Sequence, residues 1–194
     1  AGIALGSLAA LGARLWPGIF IGALFFQLHM FAGSEPDNWM TFSIFLPSLI
    51  AATGACTQAL LGNWLIKKAG VWPSKIESFR EVFLFLLLAG PVSCVISASF
   101  GSYSIALLSG LPLSAFKFTW LSWWIGDIIG VTLFAPVIVL LTKKSDEILA
   151  ARKRILIATA IIASFVTTFL FNLADERRKI NVQNDFKEAA FEHS

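Results

Sequence analysis

The chain has 194 residues, of which 57% are hydrophobic, with 18 Phe and 7 Trp and a mean hydropathy of +0.76. Charged residues make up only 14%, against about 25% in a soluble domain, which excludes an ordinary soluble globular fold. The formal net charge of +3 sits between the apolar runs, a pattern of membrane topology and not of nucleic-acid binding.

The runs are long enough to cross a bilayer, which takes about 20 residues as a helix. Backbone polar groups in lipid must be satisfied internally, leaving helices or a closed barrel. The runs are continuously apolar and do not alternate as barrel strands do. The sequence therefore predicts an all-α, polytopic transmembrane bundle of five full spans plus one truncated N-terminal span.

Ala1–Gly12 is apolar from its first residue but too short to span, and reads as the second half of a helix whose beginning is missing. Trp16-Pro17 suits the first turn of the second span, where the missing proline N–H costs nothing. That span runs to about Phe31 and carries Gln27 and His29 toward its far end. The third, from about Trp39 to Ile66, holds Pro47, a small-residue centre (AATGAC) and the polar Gln58 and Asn63. Pro47 predicts a kink and the small residues predict close helix approach. A fourth run begins near Phe79, is interrupted by Pro91 and continues to about Leu108, with Ser93, Ser97 and Gly101 spaced by four on one face. The fifth run, Phe118 to Leu141, has Pro136 near its end. Residues 142–154 form a basic connector, 155–173 a sixth span without Gly, Pro or Trp, and 174–194 a charged juxtamembrane segment.

The fifth run contains WLSWWIGDIIG (Trp120–Gly130) and organises the rest. Trp120, Trp123, Trp124, Asp127 and Val131 recur at helical spacing on one face. A carboxylate in hydrocarbon is expensive and marks a functional site by default, so Asp127 is the leading ligand-binding or sensing candidate, with a buried structural polar group as the bland alternative. Trp123 and Trp124 are candidates to line an aromatic pocket beside it, attractive to a cation or a flat apolar ligand, whereas Trp120 fits an interfacial belt. By rise per residue, Gln27 lies at about the depth of Asp127 and His29 somewhat above it. Glycine pairs at Gly2-Gly6, Gly18-Gly22 and Gly126-Gly130 predict close helix packing within the chain. Cys56 and Cys94 fall inside apolar runs, where a disulfide or metal framework is not expected. No residue spacing resembles a metal site or a catalytic triad, so no metal, cofactor or catalytic residue is predicted.

Basic residues gather in alternate loops: Arg14; then Lys67, Lys68, Lys75 and Arg80; then Lys143, Lys144, Arg152, Lys153 and Arg154. The positive-inside rule makes these cytoplasmic and the tail extracytoplasmic, in a multi-pass membrane protein. Expected partners are the lipid bilayer, a second copy through the full-length protein, and a small ligand or membrane-protein partner.

AGIAL (Ala1–Leu5), LWPGIFIGALF (Leu15–Phe25), GNWL (Gly62–Leu65) and WLSWWIGDIIGVTLFAP (Trp120–Pro136) together resemble the first type of bacterial membrane-associated sensor domain, the MASE family. The resemblance covers residues 1–141 and is most specific in the tryptophan–glycine–aspartate segment. It implies a non-catalytic input module at the N-terminus of a histidine kinase or of an enzyme making or degrading cyclic di-GMP. The segment after residue 173 resembles the approach to an extracytoplasmic ligand-binding domain. Two other classes compete on the residues alone. One is a secondary transporter or channel with a midplane site at Asp127, which proline-broken helices would suit but which lacks an inverted repeat. The other is a passive anchor.

Overall fold

The computed structural model describes residues 1–32, 41–71, 79–109 and 113–142. These residues are helical, without strands among them: α1 (Gly2–Leu11), α2 (Trp16–Ala32), α3 (Phe42–Lys68), α4 (Phe79–Leu87), α5 (Ser93–Ser109) and α6 (Leu113–Thr142). Four apolar helical stretches are long enough to cross a bilayer, Ala13–Ala32, Phe42–Lys68, Phe83–Leu108 and Ala115–Val139, while Gly2–Leu11 is shorter. The expected count of five full spans is thus four among the described residues. The predicted sixth span, the connector beyond Thr142 and the tail lie outside them.

The helix ends follow local chemistry. Gly12, at φ 106, ends α1 in a backbone conformation that L side chains rarely adopt. A single 3₁₀ turn, Ala13–Leu15, leads into α2 with Pro17 in its first turn. At the end of α3, Gly70 takes a φ of 69. Its N–H bonds the Lys67 carbonyl at 3.1 Å, and the Val71 N–H bonds Ile66 at 3.2 Å. Val71 and Ile66, the two positions that this type of cap commonly pairs, are both buried. Lys68 lies 4.7 Å over the Trp64 ring, one turn back on α3. Between α4 and α5 the chain winds through a π-helical turn, Leu88–Val92, that contains Pro91. Proline has no N–H to give the ladder and crowds the preceding turn. The single wide turn absorbs both effects, so the apolar run stays helical through it.

Glycines set how closely the helices meet. A Cβ at Gly2 would strike the Gly130 carbonyl, and one at Gly6 would lie 2.8 Å from the Ile138 Cβ, so α1 lies directly on α6. Gly54 in the small-residue centre of α3 gives the same access to Phe100 of α5, and Gly62 packs against Leu5 and Ser93. At Gly18, Gly22 and Gly126 a Cβ would meet nothing within 4 Å. Of the glycine pairs, Gly2, Gly6 and Gly130 thus lie at the α1–α6 contact, while Gly18, Gly22 and Gly126 have open space beside them. A small-residue spacing permits close approach without supplying a partner helix.

Leu5, Ile66, Phe85, Ala89, Cys94, Val131 and Ala135 form the buried apolar core, where α1, α3, the π-turn region and α6 meet. Large apolar side chains instead cover the outer faces: Phe25 on α2, and Phe118 and Ile129 on α6, are all exposed. Small buried residues inside and bulky apolar ones outside is the arrangement expected of helices solvated by lipid.

Candidate functional site

Asp127 lies half-buried on the inner side of α6, where α6 packs along α5 and α1. Ser97 of α5 donates its hydroxyl to Asp127 Oδ2. The four-residue stripe seen on α5 explains the pairing, since each of its members contacts another helix. Ser93 donates to the Ala89 carbonyl at 2.6 Å and accepts from Gln58 Nε2 of α3 at 3.1 Å. Ser97 holds the carboxylate. Gly101 seats Trp123, whose indole occupies the space that a side chain there would need. Because α5 is helical, these contacts stack one turn apart along a single face.

The three tryptophans divide. Trp120 and Trp124 stack with ring centroids 5.7 Å apart and an interplanar angle of 21°. Trp120 donates to Ser99 Oγ at 3.1 Å, and Trp124 donates to the Pro91 carbonyl at 3.0 Å. Both indoles thereby fasten α6 to α5 and the π-turn. The expectation that Trp123 and Trp124 together line a pocket is corrected at Trp124, whose N–H is spent on the π-turn and whose ring packs against the core. Trp120, expected in an interfacial belt, has the same tethering role.

A cavity of about 790 Å³ opens beside Asp127. Asp127, Trp123 and Gly126 of α6 form one wall, with Ser97 of α5 beside them. Gln27, Phe26 and Gly22 of α2 also line it, and α1 and α3 contribute small residues such as Ala4 and Ala51. Its size lies within the roughly 300–1,000 Å³ of sites for small organic ligands, which combine apolar walls with a few placed polar groups. Gln27 is buried and shares the cavity with Asp127. His29 is exposed in the last turn of α2 and is not part of the lining. Among the described residues no cluster of three His, Cys, Asp or Glu could hold a metal ion.

Ser97 and Ser122 enter the site without having been singled out as candidates. Ser97 carried a signal in the α5 stripe, but one sequence does not say which helix that stripe faces. Ser122 lies inside the WLSWW segment and lines the cavity.

The family model of the membrane-associated sensor domain MASE1 matches residues 1–175. No curated protein and no solved structure matches the chain.

Proposed function

The chain belongs to the MASE1 family of membrane sensor domains of signalling proteins, and from that premise we propose that it senses through the cavity beside Asp127. In this reading the domain sits in the bacterial cytoplasmic membrane, is not catalytic itself, and feeds a histidine kinase or a cyclic di-GMP enzyme attached to it. The observation that carries the reading is the Asp127 carboxylate on the wall of an apolar cavity, with a hydroxyl from another helix on one oxygen. An ionisable group placed so in hydrocarbon is costly to keep unless it has a task. Occupancy of the cavity changes what the carboxylate meets. The α5–α6 contact carries that change, because Ser97, Ser99 and the Pro91 carbonyl all bond the same face of α6.

The test is Asp127→Asn in the full-length protein, with output of the attached enzyme measured in cells beside membrane abundance and thermal stability. Asparagine keeps the size and the acceptor but removes the charge. Altered output from a normally abundant and stable variant supports sensing at this site. Unchanged output with unchanged stability refutes it, and loss of the protein turns the reading toward a structural anchor.

A further inference from the structure

We propose that the end of the bundle where α3 stops and α4 starts is a docking surface for anionic phospholipid, which meets the headgroup phosphates with Lys68 and Arg80. Neither residue lines the cavity beside Asp127, so the surface is separate from it. α3 and the α4–α5 run lie antiparallel, with Gly54 beside Phe100 and Gln58 bonded to Ser93. Ile66 and Phe85 then come together in the core. Lys68 follows Ile66 on α3 and Arg80 precedes Phe85 on α4, so both emerge at the same end, about 3 and 8 Å beyond that core level. Both are exposed, as are Lys67 and, after the end of α1, Arg14.

On each helix the cation stands at the tip of an exposed apolar column. On α3, Trp64 is exposed one turn before Lys68, and the ammonium folds back to 4.7 Å over its ring. The charge is thereby held close to an indole, a group that belongs at headgroup depth. On α4, Arg80, Phe83 and Leu87 are exposed at spacings that share one helix face, while Phe85 and Ala89 are buried in the core. An acyl chain can lie along the apolar part of each column with its phosphate at the charged tip. Charge decides which lipid. Four exposed cations stand at this end against one acid among the described residues, Glu81. A zwitterionic headgroup brings no net charge to meet that excess. An anionic one does, and each Lys or Arg near the surface adds a factor of about five in affinity. A free phosphate would find the same cations but would leave Trp64, Phe83 and Leu87 uncovered.

The experiment is thermal unfolding of the full-length protein in a neutral detergent, titrated with phosphatidylglycerol. Phosphatidylcholine of the same chains and glycerol phosphate are the two comparisons. The expected result is a saturable rise in Tm with phosphatidylglycerol and none with either comparison. Lys68→Gln and Arg80→Gln should each raise the lipid concentration at half-effect by about fivefold, and the double variant by about 25-fold. Lys117→Gln removes an exposed cation from the second turn of α6, at the opposite end, and should leave that concentration unchanged. All three side chains are exposed, so their exchange leaves the packing intact, and unfolding in detergent alone checks that each variant is folded. Equal stabilisation by phosphatidylcholine overturns the proposal, as does a wild-type midpoint in the double variant. A shift from Lys117→Gln as large as that from Lys68→Gln reduces the effect to overall net charge and overturns it as well. Stabilisation by glycerol phosphate at the same concentrations overturns the lipid in favour of a free phosphate.

Discussion

Gly101→Ala tests whether the α5 surface positions Trp123 as described. A Cβ at Gly101 would stand 2.5 Å from Trp123 Cζ2, where ordinary van der Waals contact begins at 3.4 Å. The indole must then retreat by about 1 Å to recover normal contact, and the obstacle is a rigid bicyclic ring, not the end of a flexible chain. Forcing one methyl into a packed site of this kind costs about 1–3 kcal/mol. Exchanging glycine for alanine in a helix interior also brings a gain of about 0.5–1 kcal/mol, so the raw change understates the clash. Gly126→Ala supplies the correction, because its Cβ enters open space on α6 and feels only the helix gain. Gly101→Ala should therefore be less stable than Gly126→Ala by about 1–3 kcal/mol in equilibrium unfolding of the protein in mixed micelles. Trp123→Leu removes the obstacle, and in a double-mutant cycle it should recover most of that difference as a coupling energy. Equal stability of the two alanine variants, or additivity in the cycle, would refute the packing of Trp123 on Gly101.

Three further outcomes follow from the contacts. Ser97→Ala removes the hydroxyl on Asp127 and should lower unfolding stability by about 1.5–3 kcal/mol, the range for a bond to a charged group; Ser97→Thr should retain part of it, read by the same titration. Trp124→Phe keeps the aromatic body but leaves the Pro91 carbonyl without its indole donor, which should cost about 1–2 kcal/mol and speed amide hydrogen exchange around Leu88–Val92. Gly54→Val puts a branched side chain where Phe100 lies and should sharply reduce membrane-inserted, folded protein. Adding Phe100→Ala should restore part of the yield, and no restoration would argue that α3 and α5 do not meet there.

The sequence made the spans and the buried acid visible, because both are properties of one run at a time. Apolar length identified α2, α3, the α4–α5 run and α6 to within a few residues, and the position of Asp127 followed from helical spacing within α6. Contacts between runs were harder to read. The Ser93–Ser97–Gly101 stripe was recognisable as a face, yet nothing in a single chain says that this face meets Asp127 and Trp123. The glycine pairs show the same limit. Gly2-Gly6 and Gly18-Gly22 are indistinguishable as motifs, and only the first has α6 against it. The tryptophans of α6 were read by depth. What separates them is which indole N–H finds an acceptor on α5 or the π-turn, a matter of tertiary geometry.

The π-turn at Leu88–Val92 carries a consequence for sequence change in this region. An α-helix advances 3.6 residues per turn, about 100° for each residue, and a π-turn amounts to one residue added within such a helix. Everything beyond it is therefore rotated by about 100° relative to α4. The wide turn acts as a phase setter: it brings the azimuth of Ser93, Ser97 and Gly101 round to α3 and α6 while Phe85 and Ala89 stay in the core. Deleting a single residue between Leu87 and Ser93 would leave the run just as apolar and still long enough to span. It would let the wide turn close to a regular α-turn and keep Ser97 facing Asp127, whereas straightening the turn without removing a residue would swing Ser97 away by about a quarter of a revolution. A one-residue gap here is thus the phase-preserving equivalent of the wide turn, and alignments of such domains should be anchored on the two sides of the turn separately.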